Sequence, residues 1–185
     1  EETISVVHNE DIRPVTPSKF SLQEKVALFQ SLFQGRDDVF ARRWYSSTTQ
    51  KSGYQPVCER EWNRPFCDKR KYKCADCSNR KFAPLSYNDL YNHLAGKDAF
   101  GRDVIGLYPI RKDNTCCFLC TDFDDKSCEH GFKNDVLAFV NVCKTWNVPC
   151  YIERSRSGNG AHVWIFFENS IISTEKQGCR SYVGS

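Results

Sequence analysis

The sequence of 185 residues has no methionine, and none of its apolar runs approaches the roughly 18 residues of a membrane-spanning helix. A secretory signal peptide begins with a basic segment, whereas the first ten residues, EETISVVHNE, are acidic. We therefore expect a cytoplasmic protein with no membrane association. The missing initiator methionine indicates a fragment or a processed piece of a larger parent chain.

Cysteine, in contrast, is abundant, with eleven copies. An odd number of cysteines without a signal peptide argues against a secreted disulfide scaffold, and it favours free thiols or metal ligands in a reducing compartment. With 40% hydrophobic and 14% aromatic residues, the chain can form one core and at most a small second module.

Four of the cysteines follow the pattern C-x8-C-x6-C-x2-C: Cys58, Cys67, Cys74 and Cys77. The pair Cys74-Ala-Asp-Cys77 is a common metal-binding knuckle, and four thiolates suit tetrahedral Zn²⁺. A structural zinc ion can hold together a segment that is too polar to fold by burial alone. Reduced free cysteines are the alternative, although these usually lie in apolar surroundings. Five further cysteines lie in apolar stretches, which predicts core positions: Cys116, Cys117, Cys120, Cys143 and Cys150.

The net charge of +3 is distributed unevenly, because residues 58–81 contain eight basic residues against four acidic ones. Aromatic and basic residues alternate there: Arg60, Trp62, Arg64, Phe66, Lys69, Arg70, Lys71, Tyr72 and Lys73. Such a composition predicts contacts to the backbone and bases of a nucleic acid. A solvated surface loop would have a similar composition.

Helix and strand signals predict an α+β fold. The capping box Ser21-Leu-Gln-Glu24 begins an amphipathic helix that continues to Gly35. Further helices are predicted over 86–94 and 132–146, and strands over 104–110, 115–124, 150–155 and 161–167, the first two joined as a hairpin. This order is typical of helices on one face of a mainly antiparallel sheet. We divide the chain into a linker at 1–20 and one domain at 21–185, which contains an insert at about 45–84 and a sheet at about 100–170.

An acidic pair, Asp122 and Asp124, ends the apolar run 117–120. Alternate residues of a strand project from the same face, so the two carboxylates lie side by side. Their repulsion is relieved if a cation or a proton lies between them, and carboxylate oxygens suit Mg²⁺ or Mn²⁺. Asp125 faces away and is interpreted as a turn residue. A solvated turn is the alternative for the whole motif.

A second motif follows in Glu153-Arg-Ser-Arg-Ser-Gly-Asn-Gly-Ala-His-Val-Trp164. Its two glycines allow a ligand to approach the backbone closely, two arginines precede them, and His162 opens the next strand. Backbone N–H groups, guanidinium groups and an imidazole can together bind phosphates. A simple hairpin turn is the alternative. Carboxylates for a metal and donors for a polyphosphate are the two halves of a nucleotidyl-transfer site.

Taken together, these motifs resemble the archaeo-eukaryotic primase superfamily, in particular the primase-polymerase domain of TOTE conflict systems. The similarity covers about residues 22–168 and runs through ALFQSLFQGRDDVFARRW, KSGYQPVC, KCADC, IGLYPI, TDFD and ERSRSGNGAHVWIFF. The resemblance implies an RRM-like catalytic core with an N-terminal helical part and a zinc-binding insert. It also implies template-directed nucleotidyl transfer on DNA or RNA, as in DNA replication, with nucleoside triphosphates, a template and primer, and helicase or nuclease domains of a parent chain as partners.

The family's motifs can be carried over position by position. The first motif, which binds the catalytic Mg²⁺ or Mn²⁺ ions, corresponds to Asp122 and Asp124. The second, which contacts the phosphates of the incoming nucleotide, corresponds to Ser157, Gly158, Gly160 and His162, with Arg154 and Arg156 as phosphate partners by position. The four cysteines correspond to the structural zinc site.

The family's third motif, another metal-binding aspartate on a later strand, has no match in this chain. Only Glu168 and Glu175 follow His162 among the acidic residues, and neither lies in a matching context. Either the third carboxylate lies in sequence outside this chain, or this piece cannot complete a two-metal site.

The leading prediction is therefore a primase-polymerase that uses Asp122, Asp124 and His162 in catalysis. The first alternative is a zinc-bearing fragment that binds nucleic acid or nucleotides without catalysis. A metal-dependent nuclease built on the same carboxylates and His162 is the third hypothesis.

Overall fold

The computed structural model describes residues 19–124, 131–155 and 158–173. Several residues named above lie outside this part of the chain: Asp125, Arg156, Ser157 and Glu175. The described elements are α1 (Leu22–Leu32), β1 (Ala41–Tyr45), β2 (Ser52–Pro56), a short 3₁₀-helix (Cys74–Asp76), α2 (Tyr87–Ala95), β3 (Ile105–Gly106), β4 (Thr115–Asp124), α3 (Phe132–Thr145), β5 (Tyr151–Arg154) and β6 (Gly160–Ile172). Within the described residues, no helix has the length and apolar character that crossing a membrane requires.

Local capping decides where the helices begin. At α1 the Glu24 N–H donates to the Ser21 hydroxyl at 3.2 Å, and the Ser21 N–H donates to the Glu24 carboxylate at 2.7 Å. Ser86 and Asp89 form the same reciprocal pair at α2, which ends at Gly96 in the left-handed conformation with φ of 58°. The three predicted helices are confirmed, with starts that agree to within one residue and ends that agree to within three.

The first sheet has the antiparallel strand order β2-β1-β3. Helices α1 and α2 pack on it through a core of Val26, Phe40, Leu90 and Ile105. Strand β1 was not among the predicted strands, because the charged pair Arg42 and Arg43 interrupts the apolar alternation that marks a half-buried strand. Strand β2 was not predicted either, because Gly53 and Pro56 are residue types that strands rarely contain.

The predicted hairpin of 104–110 with 115–124 does not form. Strand β3 is only two residues long and pairs with β1, whereas β4 pairs with β6 in the other sheet. After β3 the chain instead follows the end of α1, where the Arg36 N–H donates to the Tyr108 carbonyl at 2.8 Å. The approach is close enough that a Cβ on Gly35 would lie 2.5 Å from the Tyr108 carbonyl oxygen.

The second sheet has the antiparallel order β4-β6-β5. Helix α3 covers one face through Val136 and Val140, which pack on Ala161 and Val163. The opposite face carries an aromatic cluster, in which Phe33 at the end of α1 contacts Phe118, Trp164 and Phe166 at centroid distances of 5.5, 5.1 and 5.2 Å. In this sheet, as predicted, a helix packs on one face of antiparallel strands. The acidic pair projects from the opposite face, which α3 does not cover.

Candidate functional site

His162 lies between two carboxylates on the face of the second sheet that α3 leaves open. Because β6 is the central strand, His162 is paired with Asp122 of β4 on one side and with Glu153 of β5 on the other. Its Nε2 atom lies 3.4 Å from Asp122 Oδ1, and its Nδ1 atom lies 3.4 Å from Glu153 Oε2. The three side chains thus form one row across three strands.

Asp124 occupies the next row of the same face, opposite Gly160. A Cβ on Gly160 would lie 2.5 Å from the backbone carbonyl oxygen of Phe123, so only glycine lets β6 approach β4 this closely beside the acidic pair. Both aspartates belong to β4 and project from one face, with Asp122 partly buried and Asp124 exposed. The two carboxylates and His162 are therefore neighbours in space.

The row has coupled electrostatics. The hydrogen bond between His162 and Glu153 raises the pKa of His162 above its ordinary 6.5; burial opposes this effect, and the charges of Glu153 and Asp122 add to it. The same hydrogen bond lowers the pKa of Glu153. Burial also raises the pKa of Cys120, one row away, to about 12, so this thiol stays protonated at neutral pH. The site thus carries negative charge on its two flanking strands and favours a protonated imidazole between them.

Glu153 was not among the residues predicted for the site. Its carboxylate accepts a hydrogen bond from the Trp164 indole N–H at 2.8 Å and also faces His162. The sequence motif includes Glu153, but its position beside His162 depends on the register between β5 and β6. Only the alternation of residues along β5 and β6 could have indicated that Glu153, His162 and Trp164 share a face.

The loop between β5 and β6 is closed by its own hydrogen bonds. The Ser155 N–H donates to the Gly160 carbonyl and the Gly158 N–H donates to the Ser155 carbonyl, both at 2.9 Å. The Arg154 guanidinium donates to the Gly158 carbonyl through Nε and Nη2, at 3.3 and 3.2 Å. Gly158 has φ of 78°, a conformation that favours glycine. Arg154 and the Gly158 N–H, both predicted to contact phosphates, therefore bind within the loop.

Glu168 does not join the acidic pair. It lies six residues beyond His162 on β6, which corresponds to about 20 Å along a strand. There it lines a cavity of about 460 Å³ together with Gln34 and Arg111. Glu175, the other candidate, lies outside the described residues.

The four cysteines lie together in a different part of the molecule, the cysteine segment 58–81. All four line one cavity of about 250 Å³, to which Phe66 also contributes. The Lys81 N–H donates to Cys58 Sγ at 3.3 Å, and Cys74 begins the short 3₁₀-helix that ends before Cys77. In the part of the chain that the structure describes, no three His, Cys, Asp or Glu side chains are close enough together to hold a metal ion. The donor set nevertheless fits Zn²⁺ in kind and number, because four cysteines line one cavity.

None of the residues in the cysteine segment is buried. Two of its aromatic rings contact cationic side chains. The Arg60 guanidinium lies 4.6 Å from the Phe66 centroid, and Lys69 Nζ lies 4.6 Å from the Trp62 centroid. The Trp62 and Tyr72 side chains are 71% and 64% exposed. The segment therefore presents aromatic and basic groups to solvent, as its composition predicted.

A comparison with protein families identifies the chain. The searches of curated proteins and of solved structures returned no match. A family model described as "TOTE conflict system, Archaeo-Eukaryotic Primase domain" matches residues 24–183, a range that includes the cysteine segment, the acidic pair and His162. The family resemblance predicted from the motifs is confirmed. The α+β architecture with two three-stranded antiparallel sheets fits a domain of this type. The chain therefore belongs to the Archaeo-Eukaryotic Primase domain family of the TOTE conflict system.

Proposed function

We propose that this chain is a template-directed nucleotidyltransferase that joins nucleotides on a DNA or RNA template with the help of Mg²⁺ or Mn²⁺. The observation that carries the proposal is the pairing of Asp122 with His162 across β4 and β6. This pairing brings oxygen ligands suited to a hard cation next to an imidazole that can donate to phosphate. Family membership supports the same class of reaction.

The residues around the acidic pair have distinct roles in this proposal. Asp122 and Asp124 would hold the divalent ions, which, when bound, activate the attacking 3′-hydroxyl and neutralise charge on the triphosphate. His162 would donate a hydrogen bond from Nε2 to a phosphate oxygen on the Asp122 side. Gly160 keeps β6 close to β4, so that donor and carboxylates stay adjacent. Ser157 and Arg156 remain predicted phosphate contacts.

The cysteine segment would be a zinc-bearing insert that contacts the template or primer. Four cysteines that line one cavity suit a structural Zn²⁺ ion, and a segment without buried residues needs such a ligand to keep one conformation. Its exposed aromatic side chains and basic groups suit base stacking and phosphate contacts. We propose a cytoplasmic location, where thiols remain reduced, and action together with helicase or nuclease domains of a parent chain.

The test is incorporation of a labelled nucleotide into a primer annealed to a template, in the presence of Mn²⁺ or Mg²⁺. Asp122→Asn keeps the size of the side chain but removes one metal-binding charge, so incorporation should fall to background. Asp37→Asn, an exposed carboxyl group in the loop after α1, is the matched control and should retain full activity. Incorporation by Asp122→Asn at the level of the unchanged protein would overturn the proposal.

A second candidate function is nucleotide or nucleic-acid binding without catalysis. The position of Glu168 favours it, because this carboxylate lies about 20 Å from His162 and leaves two aspartates rather than three at the described site. This candidate predicts binding that weakens steeply with salt and no extension of the primer. Shortening of the labelled primer would instead indicate a nuclease.

A further inference from the structure

Glu153 makes two contacts through a single oxygen atom. Its Oε2 accepts a hydrogen bond from the Trp164 indole at 2.8 Å and lies 3.4 Å from His162 Nδ1. Strand β5 is at the edge of its sheet, and the Glu153 side chain is 57% exposed. A glutamate on an exposed edge strand would ordinarily sample many rotamers. Here two partners on the neighbouring strand define its position.

Trp164 is a firm anchor for this carboxylate. Its ring lies parallel to that of Phe166, with an interplanar angle of 8°, and meets Phe33 edge to face at a centroid distance of 5.1 Å. Aromatic packing of this kind restricts the indole, so the direction of its N–H is set by the core. By holding the Glu153 carboxylate, Trp164 also restricts His162, because the same Glu153 oxygen contacts both residues.

We propose that Glu153 is a positioning residue that holds the His162 ring with Nδ1 toward β5 and Nε2 toward Asp122. This inference rests on the proposed function, in which Nε2 meets a phosphate of the bound nucleotide. An imidazole whose Nδ1–H donates to a carboxylate has its ring orientation fixed, and Nε2 is presented in one direction. With both ring nitrogens protonated, Nε2–H is then a donor on the Asp122 side. Without Glu153, the ring could rotate about its Cβ–Cγ bond and turn Nε2 away from the acidic pair.

A direct role for Glu153 as a metal ligand beside Asp122 does not fit the same geometry. Two strand spacings separate β5 from β4, which is about 10 Å, and β6 lies between them. The Glu153 Oε2 atom is already shared by Trp164 and His162. Glu153 therefore acts through His162.

The first test observes the His162 ring directly and does not depend on enzyme activity. The ring nitrogens of His162 are recorded by nitrogen-15 NMR on the full chain and assigned with His162→Gln. At a pH where the ring is protonated in every variant, we expect Glu153→Ala to shift the Nδ1 resonance because the hydrogen bond is lost. Glu153→Gln, whose amide oxygen can still accept both hydrogen bonds, should keep an Nδ1 resonance close to that of the unchanged protein. Glu168→Ala removes an exposed carboxylate further along β6 and should change neither resonance. Unaltered His162 resonances in Glu153→Ala overturn the inference.

The second test separates orientation from general destabilisation. In primer extension, Glu153→Ala should weaken the apparent affinity for the nucleoside triphosphate by roughly 10- to 100-fold, the range seen when a carboxylate that orients a metal-binding histidine is lost. The KM for primer-template and the thermal midpoint should stay unchanged, and Glu153→Gln should restore most of the triphosphate affinity. Equal losses for both substrates, or no loss, contradict the inference. If the unchanged protein extends no primer, the proposed function fails, and the NMR result alone decides the role of Glu153.

Discussion

The strand pair β4 and β6 and the cysteine segment 58–81 both gather polar side chains, but only the strand pair rests on a buried core. Val163 and Ala161 of β6 are 0% and 3% exposed and pack under α3, while Asp122 and His162 project from the opposite face of the same strands. The cysteine segment contains no buried residue and is held by turns, ion pairs and cation–π contacts. Each ordered residue costs about 1–2 kcal/mol of backbone entropy.

From this difference we expect that folding alone builds the row of Asp122, His162 and Glu153, whereas the proposed zinc ion is needed to order the cysteine segment. A hydrogen-bonded ladder positions its side chains without any help from a bound ion. Surface ion pairs are worth little individually, typically below about 1 kcal/mol. A structural Zn²⁺ ion can contribute about 10–16 kcal/mol.

Removing the metal should give the largest contrast between the two regions. We expect native mass spectrometry to find one zinc ion per chain, and a strong chelator to abolish hydrogen-exchange protection over 58–81 while the amides of β4 and β6 stay protected. Cys74→Ser should have the same effect. Cys150→Ser, a half-buried cysteine outside the cluster, should keep the zinc. A chain that binds no zinc but protects 58–81 would contradict the dependence on a ligand.

Gly160→Ala should disrupt the strand pair. The new Cβ would lie 2.5 Å from the Phe123 carbonyl, so β6 must move away from β4, and we expect a loss of about 1–3 kcal/mol in the free energy of urea unfolding. Nucleotide incorporation should fall with it, because His162 and Asp122 separate. Gly96→Ala strains a helix end where a Cβ meets no atom within 4 Å, so it should lower stability without changing the specific activity. Equal activity losses in the two variants would argue against a special role of Gly160.

Neutralising lysines of the cysteine segment should weaken nucleic-acid binding without unfolding the chain. Lys71 and Lys73 are exposed and, among the described residues, have no recorded ion-pair partner. If each contacts a phosphate, the double variant Lys71→Ala, Lys73→Ala should reduce the slope of log K against log salt by about 1.4 for a single strand. The measurement is fluorescence anisotropy at several salt concentrations. Lys133→Ala with Lys144→Ala, on α3, is the control, and an equal change of slope there would remove the assignment to this surface.

The smallest expected effect concerns His93, which packs edge to face with Phe29 in the first half of the chain. Its Nδ1 atom is buried and has no hydrogen-bond partner among the described residues. Burial lowers the pKa of His93, although the negative charges of Asp103 and Glu153 oppose this. The unfolded chain therefore binds the proton more tightly, so the contribution of neutral His93 to stability is present above about pH 6.5 and is lost as the pH falls.

His93→Phe tests this sign, because it removes the titrating group. We expect the unchanged protein to lose more stability than His93→Phe when the pH falls from about 7.5 to about 5.5. His162 works in the opposite direction, since its raised pKa gives a contribution that is complete below about pH 6.5 and is lost as the pH rises through the folded-state value. Both proteins contain His162, so its effect cancels in the difference. A larger pH dependence in His93→Phe would contradict the assignment.

Much of the architecture was predictable because it is local. The capping box predicted at Ser21 is a pattern of four residues, and it places the start of α1 correctly. The start predicted for α2 at Ser86 is also correct, and the structure shows a capping box there. The two-residue period of a strand places Asp122 and Asp124 on one face without knowledge of the partner strand. The motifs were also sufficient to identify the family that the comparison then showed.

Pairing between distant segments was not predictable in this way. Residues 107–110 carry a strand-like composition, but they follow the end of α1 through the Arg36 hydrogen bond rather than pairing with β4. Strand β1 finds its partners β2 and β3 at different distances along the chain. Such contacts depend on packing of the whole core, which no short pattern contains.

The sequence on its own determined the three helices, the shared face of the acidic pair and the family. It also predicts that the four cysteines bind a metal ion. These features follow from chemistry within a few neighbouring residues. The tertiary structure alone decided that β6 lies between β4 and β5. Only this strand order places His162 between Asp122 and Glu153, because residues from three separate segments become neighbours when the ladder of hydrogen bonds closes.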